Sequence, residues 1–147
     1  IKGQQRRIFQ YPFHQKAISP ESLPYISNDE DSPILVNVHP STTAIPFLQQ
    51  FHSLWEKRQL SLVKSVSGSP ALQILEAARG GCIYFNTWFE GETMPYDLLV
   101  PMDILQGANG QMLDRSGDPV DPWKHKGLFI AGADQEKLHK FIQMLGL

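Results

Sequence analysis

The apolar positions from residue 34 onward follow two alternating periods. Short runs rich in β-branched and aromatic residues predict buried strands, and apolar positions spaced three and four apart predict amphipathic helices. The predicted strands are 34–38, 60–66, 82–86, 111–114 and 127–131, and the predicted helices are 43–58, 70–79, 97–105 and 134–145. Strands that alternate with helices predict an α/β fold with a mostly parallel sheet and helices on both faces.

Each predicted helix has an apolar face that we expect to pack on this sheet. Ser69 precedes the second helix and Asp134 the last one, and both are favourable N-caps. The expected packing faces are Leu48, Phe51, Leu54 and Trp55 in the first helix; Ala71, Leu72, Leu75 and Ala78 in the second; Leu98, Leu99, Met102 and Leu105 in the third; and Leu138, Phe141, Ile142 and Leu145 in the last. Pro101 is expected to kink the third helix unless it lies within the first turn.

Residues 1–33 form an irregular leading segment that several prolines interrupt, with a short strand predicted near Arg6–Phe9. The whole chain of 147 residues has the length of one domain with its own core. A net charge of −2 indicates neither a nucleic-acid nor an anionic-membrane partner, and no apolar run approaches the roughly 20 residues that span a bilayer. The lone Cys82 excludes an intrachain disulfide, and we expect a cytoplasmic protein.

Few residues offer chemistry on their own. Asp97 begins a helix, where a carboxylate suits the helix dipole or can hold a cation. Cys82 is predicted to be a core residue, and the histidines lack metal-ligand spacing, although His39 ends a strand, where α/β sites collect. The Asp118–Asp121 segment, which spells two carboxylates around a proline, is predicted to be a solvated turn.

The turn before the second helix is a further candidate. Ser67, Gly68 and Ser69 can cap the helix or cradle a phosphate with free backbone N–H groups. The turn is not a P-loop, because the Gly-Lys-Ser/Thr ending is absent.

Residues from about 60 to 145 resemble the C-terminal half of the inositol monophosphatase superfamily, which comprises Mg²⁺-dependent phosphomonoesterases. The family has Ser-Gly-Ser/Thr-Ala before a helix, then Trp-Asp opening a second helix that ends in Glu-Ala-Gly-Gly, and then an Asp-x-x-Gly turn. The corresponding stretches here are Ser67–Ala71, Tyr96-Asp97, Gly107–Gly110 and Asp114–Gly117. Larger residues, Leu98–Pro101, replace the family's small residues after the Asp.

The resemblance implies a site. Asp97 would be the one metal ligand from this half. Either Glu90, by its distance from Asp97, or Asn86, by its alignment from the strand, would contact a hydroxyl of the substrate. Ser67, Gly68 and Ser69 would lie near a small phosphorylated substrate. The family's other ligands, a Glu-Glu pair and an Asp-Pro-Ile-Asp-Gly-Thr motif, are absent from this sequence.

We therefore expect the C-terminal half of a larger Mg²⁺-dependent phosphatase, resembling inositol monophosphatase or 3′(2′),5′-bisphosphate nucleotidase and inactive as an isolated chain. Its protein partner would be the missing N-terminal half or another subunit, including a second copy of the chain. The alternative is a non-catalytic binding or scaffold protein that retains the fold without the metal site. An unrelated α/β interaction domain is a third interpretation, which the order and spacing of the motifs disfavour.

Overall fold

The structure is a computed structural model that describes residues 7–8, 21–22, 34–39, 44–65, 69–87 and 95–147. Seven strands and four helices lie in these ranges. In chain order they are β1 (Arg7–Ile8), β2 (Glu21–Ser22), β3 (Ile34–Val38), α1 (Ile45–Glu56), β4 (Leu60–Ser65), α2 (Pro70–Ala78), β5 (Ile83–Asn86), α3 (Pro95–Gly107), β6 (Gln111–Asp114), β7 (Phe129–Gly132) and α4 (Gln135–Leu145).

The main sheet has five strands in the order β4-β3-β5-β7-β6. Strand β3 pairs in parallel with both β4 and β5, whereas β7 pairs antiparallel with both β5 and β6. Strand β7 therefore runs against the other four. The predicted α/β class with a mostly parallel sheet is confirmed, and β1 and β2 form a separate antiparallel pair.

Helices cover both faces of this sheet, as predicted. On one face, α1 and α4 pack on a cluster that includes Phe51, Phe85 and Phe141. The Phe85 ring meets the Phe51 ring edge-on at 5.5 Å and the Phe141 ring at 5.9 Å between centroids. On the other face, α2 and α3 bury Ile74 and Leu105. Each such aromatic pair adds about 0.5–1.5 kcal/mol beyond its buried area, so β5 is held firmly between the two layers.

The predicted apolar face of α4 is confirmed, because Leu138, Phe141, Ile142 and Leu145 are all buried. The Asp134 side chain caps this helix by accepting a hydrogen bond from the Lys137 backbone N–H at 3.0 Å. A cap and an i, i+3, i+4, i+7 pattern are local signals, and both depend only on the helix itself.

The predicted faces of α1, α2 and α3 are wrong in part. Leu48 and Trp55 are half exposed in α1, and Leu72 is 61% exposed in α2. The buried residues of α2 are instead Pro70, Ile74, Ala77 and Ala78. Leu99 and Met102 of α3 are only partly buried. Helices α2 and α3 pack on each other as well as on the sheet. Because each of these two helices contacts two neighbours, its buried residues differ from those that the spacing of apolar residues alone predicts.

The prediction that Cys82 is a core residue is wrong in part, and the kink expected at Pro101 stays a prediction. Cys82 lies just before β5, is half-buried, and its Sγ accepts a hydrogen bond from Asn37 Nδ2 at 3.2 Å. Pro101 is buried and lies in the second turn of α3, beyond the first-turn positions that tolerate proline without losing a hydrogen bond. No helix in the described ranges has the length and apolar character needed to cross a membrane.

Candidate metal and substrate site

The carboxyl ends of the parallel strands meet at one edge of the sheet. Strands β3, β4 and β5 run in the same direction and end at Val38, Ser65 and Asn86. Helix α2 starts from this edge because it follows β4. The amino end of α3 lies at the same edge, since α3 returns the chain from the end of β5 to the start of β6. Polar groups from several elements are therefore collected there.

A crevice is expected between the ends of β3 and β5. After β3 the chain crosses on the α1 face to reach β4, and after β5 it continues into α3 on the opposite face. Adjacent strands whose connections leave in opposite directions form a topological switch point, where open α/β sheets bind ligands. The residues that follow these two strands, His39 and Thr87, therefore flank the crevice.

One main-chain and one side-chain hydrogen bond fix the two strand ends against each other. The His39 backbone N–H donates to the Phe85 carbonyl at 3.0 Å. The Thr87 hydroxyl donates to the His39 carbonyl at 3.4 Å, and Thr87 is fully buried. Asn86, one of the two substrate-contact candidates, lies between these anchors and is also fully buried. A rigid strand end of this kind holds a side chain more precisely than a loop does.

Asp97 is the third residue of α3 and is half-buried. A carboxylate in the first turn of a helix is stabilised by the positive end of the dipole. Four residues later Pro101 lacks an N–H, so the Asp97 carbonyl receives no helical hydrogen bond from that position. Asp97 therefore offers hard oxygen atoms of the kind that Mg²⁺ prefers, at the edge where Asn86 ends β5.

Ser69 occupies the N-cap position of α2 in an extended conformation, and its side chain makes no capping hydrogen bond. It is exposed, and Pro70 follows it as the first helical residue. The Ser69 hydroxyl is thus not used as a helix cap and remains a candidate for the phosphate-binding turn. The other candidates, Ser67, Gly68 and Glu90, lie outside the described residues.

The described residues do not complete a metal site. Within the ranges that the structure describes, no group of three or more His, Cys, Asp or Glu side chains could hold a metal ion. Asp118 and Asp121 lie in an exposed turn, as predicted. The backbone N–H of Trp123, at 2.9 Å, and the Lys124 ammonium keep the pKa of the Asp121 carboxyl below its ordinary value. Asp97 is accordingly the carboxylate that carries the metal-ligand hypothesis.

Comparison with known proteins identifies the architecture. No protein-family model matches the sequence, and no curated protein matches it. The extragenic suppressor protein suhB from Bartonella henselae matches with a TM-score of 0.62 at 13% identity, over 96% of this chain and 54% of that one. Inositol monophosphatase from Anabaena (Nostoc) sp. PCC 7120 matches with a TM-score of 0.60 at 17% identity, over 83% of this chain and 47% of that one. A dual specific IMPase/NADP phosphatase bound with D-inositol-1-phosphate matches with a TM-score of 0.60 at 15% identity, over 83% of this chain and 43% of that one.

The chain has the inositol monophosphatase fold. The resemblance drawn from the sequence motifs is therefore confirmed for the architecture. The chain spans only about half of the length of the structures that it matches.

Thr87 and His39, which follow β5 and β3 in this inositol monophosphatase fold, were not among the predicted site residues. Thr87 was missed, although a polar residue directly after a buried strand is a usable signal. His39 was noted only because it ends a strand. It is half-buried, and burial lowers the pKa of its imidazole below the ordinary value of 6.5. Its position beside Asn86 depends on strand order, which the local sequence does not encode.

Proposed function

We propose that this chain forms the C-terminal half of a Mg²⁺-dependent phosphomonoesterase, a hydrolase to which it contributes Asp97 as a metal ligand. The observation that carries the proposal is the position of Asp97, in the first turn of α3 at the carboxyl edge of a sheet with the inositol monophosphatase fold. Bound Mg²⁺ would neutralise the phosphate charge and lower the pKa of an attacking water. The matched structures are about twice as long as this chain, so a second half has room to supply the other ligands.

The substrate of this proposed enzyme is a small phosphate ester. One matched structure holds D-inositol-1-phosphate and belongs to an enzyme that also acts as an NADP phosphatase. In this chain, Asn86 or Glu90 would contact a substrate hydroxyl, and the turn of Ser67, Gly68 and Ser69 would lie near the phosphate. Asn86 has structural support for this role, because it is fully buried at the end of β5 beside the switch point.

The proposal also requires a protein partner. Three large apolar side chains near the amino ends of α2 and α3 are exposed, namely Leu72 at 61%, Tyr96 at 72% and Val100 at 66%. Exposed apolar groups on neighbouring helices form contact surfaces in many proteins. The partner would be the missing N-terminal half or a second copy of the chain.

The test measures Mg²⁺-dependent release of inorganic phosphate from myo-inositol 1-phosphate. It compares this chain alone with a longer protein in which the region encoded upstream precedes Ile1. We expect no release by the chain alone, and release by the longer protein that Asp97→Asn reduces by about 100-fold or more. Robust turnover by the chain alone that depends on Asp97 would contradict the half-site proposal. A Glu-Glu pair and an Asp-Pro-x-Asp-Gly-Thr motif in the upstream region would support it.

The second candidate function is a non-catalytic binding or scaffold protein. The observation that favours it is the replacement of the family's small residues after the Asp by Leu98–Pro101. In that case the longer protein would fold and bind phosphate esters or a protein partner without Mg²⁺-dependent turnover. The same phosphate-release assay therefore separates the two functions.

A further inference from the structure

A cleft of about 400 Å³ lies at the end of α3 that is opposite to Asp97. It is formed by the last two turns of α3, the turn into β6, the Pro119–Val120 segment and the first residue of α4. Helix α3 has 13 residues and is therefore about 20 Å long. The cleft thus lies at the sheet edge where β6 starts, away from the carboxyl ends of β3 and β5. Its volume falls within the range of about 300–1,000 Å³ that ligand sites have.

The floor of the cleft is apolar. Leu105, Met112 and Val120 are buried, and Met102 is partly buried. All four pack in or against the core cluster that fills the space between α2, α3 and the sheet, so the floor is fixed in position. The thioether of methionine is polarisable, and its contact with an aromatic ring contributes about 0.3–1.5 kcal/mol. The floor therefore suits the flat face of an aromatic ring.

Four carboxamide side chains form the polar rim of the cleft, those of Gln106, Asn109, Gln111 and Gln135. Gln135 Nε2 donates a hydrogen bond to the Asn109 carbonyl at 2.6 Å, which holds the Gln135 side chain against the turn between α3 and β6. A carboxamide presents a donor and an acceptor side by side. It therefore pairs with a ring edge that also has a donor next to an acceptor, as glutamine and asparagine do with adenine.

The charges around the cleft disfavour a phosphate. Among the described residues, those that line the cleft are all uncharged. Every charged residue directly before or after a lining residue in the sequence is acidic, namely Asp103, Asp118, Asp121, Asp134 and Glu136. The Asp134 carboxylate also accepts the Lys137 backbone N–H at 3.0 Å, so it occupies the amino end of α4, where a phosphate would otherwise bind. The ligand that fits this environment carries no negative charge.

We propose that this cleft binds an uncharged nucleobase, as the free base or within a nucleoside. The ring lies on the methionine-containing floor, and its edge pairs with the carboxamide rim. This inference goes beyond the proposed function and is independent of it, because the cleft contains none of the residues assigned to the phosphatase site. The Asp97 site would take a phosphate ester with Mg²⁺, whereas this cleft takes a ligand without phosphate and without a metal ion.

The experiment follows methionine methyl signals by NMR in the chain labelled at methionine, without Mg²⁺. The probes are adenosine and uridine, whose bases present a donor next to an acceptor, and their 5′-monophosphates. We expect at least one nucleoside to move the Met102 and Met112 signals, because an aromatic ring shifts the signals of methyl groups that it covers. Met144 lies near the far end of α4, so its signal serves as an internal control. At low ionic strength the monophosphate should bind more weakly than its nucleoside, since the carboxylates repel it.

Two substitutions test the rim. Gln106→Leu and Gln111→Leu each remove one carboxamide while nearly keeping the size of the side chain. We expect each to weaken nucleoside binding by about fivefold, the effect of one neutral hydrogen bond. Gln143→Leu, on the exposed surface of α4 outside the cleft, is the matched control and should leave the affinity unchanged. Amide spectra establish that each variant is folded.

The inference is overturned if neither nucleoside moves the Met102 and Met112 signals at saturating concentrations. A monophosphate that binds as tightly as its nucleoside would also overturn it, because the cleft would then accept a phosphate. So would an affinity that both rim substitutions leave unchanged, or a Met144 signal that moves as far as the other two. None of these results involves Asp97, and the phosphatase proposal is tested separately by phosphate release.

Discussion

Replacing Gly110 by alanine should destabilise the chain for a purely steric reason. Gly110 lies between α3 and β6, and it is buried. A Cβ atom at this position would lie 2.5 Å from Leu105 Cδ1, 2.7 Å from the Gly132 carbonyl oxygen and 2.8 Å from Ala133 Cα. Two of these three neighbours are backbone atoms at the end of β7, so they cannot move aside by a change of rotamer.

The expected cost follows from these contacts. Inserting a methyl group into a packed core costs about 1–3 kcal/mol, and a clash with backbone belongs at the upper end, about 3 kcal/mol. With a denaturant slope of about 2 kcal/mol per molar urea, the unfolding midpoint should fall by about 1.5 M. Gly81→Ala is the matched control, because a Cβ atom there meets no atom within 4 Å. That substitution should raise the free energy of unfolding by about 0.4–1 kcal/mol at most.

Urea unfolding, followed by circular dichroism and by tryptophan fluorescence, measures both variants. Equal midpoints for Gly110→Ala and the wild type would refute the packing that joins α3, β6 and β7. A loss of stability in Gly81→Ala as large as that in Gly110→Ala would also contradict the reasoning, since it would indicate a general cost of alanine and not a steric one.

Three further predictions follow from single contacts. Asp134→Ala removes the α4 cap and should lower the free energy of unfolding by about 1 kcal/mol, measured in urea, with Lys140→Ala on the exposed side of the same helix as control. Thr87→Val removes the hydroxyl that bonds the His39 carbonyl but nearly keeps the volume of this fully buried side chain, and it should cost about 1 kcal/mol by the same measurement. Because burial lowers the pKa of His39, the unfolded chain binds its proton first as pH falls through 6.5, so stability should decrease between pH 7.5 and pH 5.5. His39→Gln should remove that part of the decrease, and an unchanged pH dependence in this variant would contradict it.

Signals that belong to one element were predicted well from the sequence. The Asp134 cap and the apolar face of α4 depend on neighbouring positions in one helix, and both are confirmed. The turn after α3 is also local. Asn109 adopts φ 61°, a left-handed conformation that asparagine tolerates better than most residues, at a position where the resembled family has glycine.

Features that depend on the neighbours of an element were not predicted. The sequence gives no measure of how α2 and α3 share their contact, so the exposure of Leu72 was missed. The crevice requires the strand order β4-β3-β5, which no local pattern encodes. That order alone places His39 beside Asn86. The choice between Asn86 and Glu90 as the hydroxyl contact stays a prediction.

The large residues after Asp97 are weaker evidence for a scaffold protein than their difference from the family's small residues suggests. Leu98 is fully buried, and it belongs to the same core cluster as Ala77 and Ala78 of α2, which are also fully buried. A large side chain on α3 is therefore offset by small ones on α2, since the summed volume of a core matters more than the size of each residue. Leu98 fills the core between helix and sheet, and Val100 is 66% exposed on the outer surface. The substitutions after Asp97 thus change the packing of α3, and the function depends on whether the Asp97 carboxylate meets the ligands of a second half.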